Sequence, residues 1–267
     1  MKVLGLQFDI AWENKPANFA TVRRLLQAAR PEPGTLALLP EMFATGFSMN
    51  AEGISESYGG PTETFLVETA REYSIWLLGG AAMRSRDGQC RNQALLFSPA
   101  GKLEGFYAKM RPFSPGQEDL HYIAGNQPSI FACGEMTVSP FVCYDLRFPE
   151  LFRAAAAARR PQLYVVIASW PEKRITHWTR LLQARAIENQ AYVAGVNRIG
   201  NDPFYRYNGH SVIIDPQGEI IADAGETEGS VSAGLNLADL AKYRAGLPFL
   251  DDLRKAQPSS DIPSASP

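Results

Sequence analysis

Short apolar runs alternate along this chain with stretches whose apolar residues recur every three or four positions, and that alternation restricts the fold more than any other feature. KVLGLQFDI reads as a buried strand, and NFATVRRLLQAAR as a helix with Phe19, Val22, Leu25 and Leu26 on one face. TLALLPE is predicted as the next strand and PTETFLVETAREY as the next helix, entered through the turn residues Gly59, Gly60 and Pro61. IWLLGGAAMR and NQALLFSPAGKLEGFYAK follow as strands around a turn at Pro99 to Gly101. The second half repeats the theme. TVSPFVCYD and LYVVIASW are strands, PELFRAAAAARR is a helix opened by Pro149, and HWTRLLQARAIENQ is a second helix. AYVAGVNRIG and SVIIDPQGEIIADAG close the series as strands, the latter a hairpin turning at Asp215 to Gly218. Such a pattern predicts an α/β fold with helices layered on sheets.

The 267 residues, 45% of them hydrophobic, suffice for a substantial core. No shift in composition divides residues 1–255, which are expected to form one domain. Residues 256–267, rich in Ser and Pro, are expected to form a disordered tail. A net charge of −2 without any basic block argues against nucleic acid or an acidic membrane surface as partner. The first apolar run is soon interrupted by Asp9 and Glu13, which fits neither a signal peptide nor a membrane span, so a cytoplasmic protein is expected. Cys90, Cys133 and Cys143 are odd in number, widely spaced and without a CxxC pair, which disfavours a disulfide framework and a structural zinc site.

Reactive groups in layered α/β folds collect where strands end and loops begin. Three apolar runs close on such a group: Glu41 after TLALL, Lys109 after LEGFYA and Cys143 after SPFV. Taken singly, each is ordinary: a strand-end carboxylate, a solvated lysine, a small buried thiol. Together a base, a cation and a thiol form the set that acyl transfer through a cysteine requires.

The segments LLPEMFATGF, YAKMRPF and VCYDLRFPELFR, in that order, resemble the three signature regions of the carbon–nitrogen hydrolase (nitrilase) superfamily. The resemblance runs from the first strand to GHSVIIDPQGEII. It implies an αββα sandwich that pairs with a second copy into an αββααββα homodimer, with a Glu-Lys-Cys triad and no cofactor or metal. Carried over by position, Glu41 is the general base, Lys109 the oxyanion-stabilising lysine and Cys143 the nucleophile. Glu118 in GQEDLHYIAGN matches a further glutamate that orients the lysine or assists the base. The Tyr144 backbone N–H would complete the oxyanion hole with Lys109. Asp145, Arg147 and Glu150 are read as a charged cluster that fixes the turn after Cys143, with direct contact to the substrate as the alternative.

PEMFATGFSMN, QEDLHYIAGN and the long segment from ASWPEKR to NRIGND look most like the omega-amidase branch, which hydrolyses the terminal amide of 2-oxo acids such as 2-oxoglutaramate and 2-oxosuccinamate. A substrate of that kind carries a carboxylate, which needs a positive group or N–H donors. Arg174 is the candidate, with Trp170 and Phe43 as walls. SWPEKR and the Met110-Arg111-Pro112 run beside Lys109 depart from the pattern of other members. A nitrilase or an N-carbamoyl amidohydrolase is the alternative enzyme, and a silent scaffold or a thiol redox sensor the alternatives from other classes. His121, His177 and His210 are too dispersed for a metal site and lack a partner motif for Cys-His catalysis.

Overall fold

A computed structural model describes residues 1–253; the tail expected at 256–267 lies outside the described residues. The first half runs β1 (Lys2–Gln7), α1 (Lys15–Ala29), β2 (Leu36–Leu38), α2 (Ala51–Ile54), α3 (Pro61–Tyr73), β3 (Trp76–Arg84), β4 (Cys90–Phe97) and β5 (Leu103–Ala108). The second continues with β6 (Phe131–Cys133), β7 (Met136–Val142), α4 (Pro149–Arg159), β8 (Leu163–Ile167), α5 (Ile175–Asn189), β9 (Tyr192–Val196), β10 (Ile199–Asn201), β11 (Arg206–Asn208), β12 (Val212–Ile214), β13 (Ile220–Asp223), β14 (Gly229–Gly234), α6 (Leu237–Gly246) and α7 (Phe249–Asp252).

Twelve of the strands form two six-stranded sheets, in the orders β14-β1-β2-β3-β4-β5 and β13-β12-β9-β8-β7-β6. Each has a parallel core, β1-β2-β3 in one and β7-β8-β9 in the other, flanked by antiparallel strands. Helices α1, α3, α4 and α5 make the parallel connections, as such links require. Alternate residues of each strand serve different layers. Val3, Leu36, Leu38 and Leu96 pack with Val138, Val165 and Ile214 between the sheets. Leu4, Leu6, Ala37 and Leu95 face outward against Val22 and Leu26 of α1 and Phe65 and Leu66 of α3. The sheets approach closely enough that a Cβ on Gly5 of β1 would stand 2.8 Å from Val196 of β9. On the opposite face of β9, a Cβ on Gly195 would meet Leu182 of α5 at 2.4 Å. The expected αββα sandwich is the architecture of the chain.

Local chemistry explains the element ends. Asn14 caps α1 by accepting from the Ala17 N–H, and Pro149 occupies the first turn of α4, where no N–H is needed. Asp215 accepts from the N–H groups of Gln217 and Glu219, closing the β12–β13 hairpin at the predicted place. Among the described residues no helix is long and apolar enough to cross a membrane.

Candidate active site

β5 is antiparallel to β4 and β4 to β3, so β5 runs in the direction of the parallel core strands. The chain leaving β5 at Lys109 therefore emerges at the same edge as the chain leaving β2 at Glu41, and the second sheet brings Cys143, next after β7, and Ser169, just beyond β8, to meet them. At that edge the Lys109 ammonium donates to Glu41 Oε1 and to Glu118 Oε2, both at 2.8 Å. The Asn92 amide of β4 also bridges the two carboxylates, 2.7 Å from Glu41 and 2.9 Å from Glu118. Backbone N–H groups complete the frame: Ser169 donates to Glu41 at 2.9 Å and Phe113 to Glu118 at 2.6 Å. None of the three charged side chains is more than 1% exposed.

Met42 and Cys143 are among the nine non-glycine residues of the described chain held in the left-handed backbone region. Met42, directly after Glu41, has φ of 44°, and Cys143 has φ of 47°. Such conformations cost non-glycine residues about 1–3 kcal/mol and persist only where the surroundings impose them. At Cys143 the effect is a sharp turn from β7 into a short 3-10 helix, Cys143–Arg147, which aims the thiol into the open space instead of the sheet. Its Sγ lies 3.9 Å from the Ser169 carbonyl oxygen. Buried Asp145 fixes this turn, accepting from Val142 N at 3.0 Å, Arg111 N at 2.8 Å and the Tyr107 hydroxyl at 2.8 Å.

Cys143 opens onto a cleft of about 370 Å³, its open mouth included, whose walls include Phe47, Phe113, Tyr144, Trp170, Tyr205 and Tyr207. Arg147 and Arg174 also line it. The Arg147 guanidinium lies 4.7 Å over the Trp170 ring, and that of Arg174 lies 5.6 Å over Phe113 and 5.8 Å over Tyr205. Among the described residues neither arginine pairs with a carboxylate, whereas their neighbours Arg111 and Arg206 do, with Glu150 and Glu172.

Residues 5–245 match the carbon-nitrogen hydrolase family. The chain is a carbon–nitrogen hydrolase. It is 37% identical to the omega-amidase YafV of Escherichia coli K12 across 94% of this chain and 96% of that protein. It is 32% identical to the 2-oxoglutaramate amidase of Bacillus subtilis over the same shares of the two chains. A carbon–nitrogen hydrolase superfamily protein of Xanthomonas campestris, whose structure carries an arsenic adduct in the active site, superposes with a TM-score of 0.89 at 31% identity, covering 98% of this chain and 99% of that one. The protein is accordingly a hydrolase of carbon–nitrogen bonds other than peptide bonds.

The hydrolase's electrostatics follow from two carboxylates and one ammonium shut away from water. Desolvation alone would favour a neutral Lys109, but the Glu118 and Glu41 carboxylates outweigh it and hold the ammonium above the usual lysine range. Burial keeps the Glu118 carboxyl above its usual range, with Lys109 offsetting part of the effect. Desolvation, then the Glu41 charge, push the Cys143 thiol well above its ordinary range, against the opposing pull of Lys109.

The residues expected from the sequence are distributed unevenly. Glu41, Lys109, Glu118 and Cys143 come together, and Trp170 and Arg174 line the cavity with Tyr144. Phe43 does not. It is fully buried on the helical side of the first sheet, with ring centroids 6.1 Å from Phe19 and 6.0 Å from Phe65. The left-handed turns at Met42 and Gly46 direct Phe43 inward and leave Phe47 as the wall. The charged cluster after Cys143 also divides: Asp145 fixes the turn, Glu150 is exposed and pairs with Arg111, and Arg147 lines the cavity instead of bracing the loop. None of the three histidines is among the lining residues. Asn92 and Phe47 were not singled out from the sequence, and Arg147 was read there chiefly as part of the turn-fixing cluster. The one available signal was the placement of Arg147 a single helical turn after the cysteine.

Proposed function

We propose that this chain hydrolyses the terminal amide of small 2-oxo dicarboxylic acid monoamides, 2-oxoglutaramate and 2-oxosuccinamate, to the acid and ammonia through a thioester on Cys143. The observation that carries the reading is a cavity lined by Cys143, at the sheet edge that holds the Glu-Lys-Glu cluster, and by two arginines that have no carboxylate partner among the described residues. The names of the relatives from B. subtilis and E. coli point to the same substrate class.

Glu41 takes the thiol proton as Sγ attacks the amide carbon, so that charge never accumulates on sulfur beside two carboxylates. The ammonium of Lys109 has three N–H donors, of which the two carboxylates take two; the third serves the oxyanion. The second donor is the Tyr144 N–H, placed in the first turn of a short helix where backbone N–H groups lack internal partners. Glu41 returns the proton to the departing nitrogen, releasing ammonia, then draws a proton from the water that attacks the thioester and passes it to the Cys143 sulfur as the C–S bond breaks and the acid leaves. Glu118 and Asn92 hold Lys109 and Glu41 in register. Arg147 and Arg174 receive the substrate carboxylate at the far end of the cavity, against Trp170. All of these steps use side chains, backbone and water.

Ammonia release from 2-oxoglutaramate and 2-oxosuccinamate, beside succinamate, glutamine, simple nitriles and N-carbamoyl amino acids, tests the reading with Cys143→Ala as control. Turnover confined to nitriles or N-carbamoyl substrates would sink the assignment and leave the nucleophile. We further infer a cytoplasmic homodimer. Three free cysteines suit a reducing compartment, and Ile187, half exposed on α5, offers apolar surface to a second copy. Light scattering on the purified chain tests the dimer.

A further inference from the structure

His177 stands outside the cavity, exposed on the first turn of α5, yet its Nδ1 lies 3.3 Å from both terminal nitrogens of Arg147. A guanidinium can only donate, so this contact requires a lone pair on Nδ1, with the ring hydrogen on Nε2. The same guanidinium rests at 4.7 Å on the face of Trp170. Trp170 is itself fixed: its backbone N–H donates to Asn197 Oδ1 at 2.8 Å, and its indole N–H donates to the Arg174 carbonyl oxygen at 2.8 Å. The Arg147 fork is thus held from below by a locked aromatic plane and from the side by one acceptor. Both terminal nitrogens bind that acceptor through one proton each, which leaves their other N–H groups for a planar acceptor in the cavity. Without the imidazole, no other contact of Arg147 among the described residues fixes rotation of the guanidinium over the ring. Arg174 adds like charge nearby, which favours any rotamer that carries the two apart.

We propose that His177 is a positioning residue that sets the Arg147 guanidinium for the carboxylate of the substrate, so that preference for an anionic amide depends on a side chain that never touches it. This rests on the reading above that Arg147 receives that carboxylate. Its role is orientation only: the amide end of the substrate, at Cys143, is unaffected by it.

The test compares 2-oxoglutaramate with 4-oxopentanamide, the same chain with a methyl group in place of the carboxylate, in wild type, Arg147→Ala, His177→Ala and His177→Asn. His177→Ala is expected to raise KM for 2-oxoglutaramate about fivefold, the effect of one ordinary hydrogen bond, with kcat held within about twofold and little change toward 4-oxopentanamide. His177→Asn, whose Oδ1 falls near the position of Nδ1, should recover most of the loss. If Arg147→Ala loses the preference for the anionic amide while His177→Ala keeps it, the inference is wrong and the carboxylate reading stands. If His177→Ala depresses kcat equally for both amides, His177 acts on the fold and the inference is likewise wrong. If Arg147→Ala keeps the preference, the carboxylate reading itself fails, and this inference with it.

Discussion

The Lys109 ammonium meets the Glu41 carboxylate at 2.8 Å across 68 residues of sequence, with neither side chain more than 1% exposed. A buried pair of this kind depends on every partner, because removal of one leaves an uncompensated charge. Lys109→Ala would leave Glu41 and Glu118 facing each other with no cation between them, held only by the neutral Asn92 amide and the Ser169 and Phe113 N–H groups. A loss of about 3–5 kcal/mol in urea unfolding is expected, together with loss of turnover. The sign of its pH dependence follows. Two carboxylates without the ammonium share a proton, so at least one has a folded-state affinity for protons above its unfolded value. The variant is therefore least impaired at low pH, and the deficit grows as pH rises. A deficit independent of pH would contradict this account of the cluster.

Glu41→Gln separates two properties that the wild type couples. The Glu41 charge is one reason the Cys143 thiol stays above its ordinary range, while Lys109 pulls the other way. Removing that charge is expected to lower the thiol's proton affinity, so thiolate absorbance in the ultraviolet should develop at lower pH than in the wild type. Ammonia release should nevertheless fall by about 10²–10⁴, because the proton shuttle is gone. A variant with more thiolate and less turnover identifies Glu41 as the base; unchanged turnover would remove it from the mechanism.

Glu41, Lys109 and Cys143 were legible because each closes an apolar run, and apolar runs are where a sequence speaks most plainly about strands. Asn92 was not, since its bridge between Glu41 and Glu118 arises only when β4 takes its register between β3 and β5. The strand GSVSAG, β14, was also missed. Small residues on an edge strand carry no alternation, and its pairing with β1 joins the two ends of the chain. Phe43 and Phe47 sit four apart in one segment, and only the left-handed turns at Met42 and Gly46 decide which of them faces the cavity. Arg147 was read with its charged neighbours because i to i+3 spacing suggests a local cluster, but its partner is a histidine 30 residues away.

Gly80 on β3 makes room for the turn at Glu41. A Cβ there would stand 2.6 Å from Met42 N and 2.7 Å from Glu41 Cα, which are backbone atoms with no rotamer to change. Gly80→Ala should therefore push the Glu41 turn away from the sheet. Overpacking of this kind costs about 1–3 kcal/mol, and a shift near 1 Å at a catalytic group can cost about 10² in rate. Thermal unfolding and kcat on one preparation check both; full activity with unchanged stability would show that the turn is not held there.

Among the described residues the Arg174 side chain meets only aromatic rings and cavity, while its carbonyl oxygen, which any residue supplies, accepts from the Trp170 indole. Arg174→Ala should thus leave stability within about 0.5 kcal/mol. A charged hydrogen bond contributes about 1.5–3 kcal/mol, so KM for 2-oxoglutaramate is expected to rise by roughly one to two decades. Equal losses toward a neutral amide would argue instead that Arg174 only shapes the wall.

Phe43 and Phe47 offer the sharpest contrast between core and site. Phe43 is enclosed by Phe19, Phe65 and Leu66, so Phe43→Ala creates a cavity among groups that cannot collapse fully, at a cost of about 3–5 kcal/mol. Its effect on KM should be slight wherever the protein remains folded. Phe47 is only partly buried, lines the cavity and lies 5.1 Å under the Lys109 ammonium. Phe47→Ala admits water beside that ammonium and weakens its hold on a developing oxyanion, because electrostatic stabilisation depends on a dry site. A small change in unfolding midpoint with a fall in kcat is therefore expected for Phe47, and the reverse for Phe43. Unfolding curves and turnover measured on the two variants side by side decide the matter: a KM effect at Phe43 with stability intact would return it to the wall of the cavity.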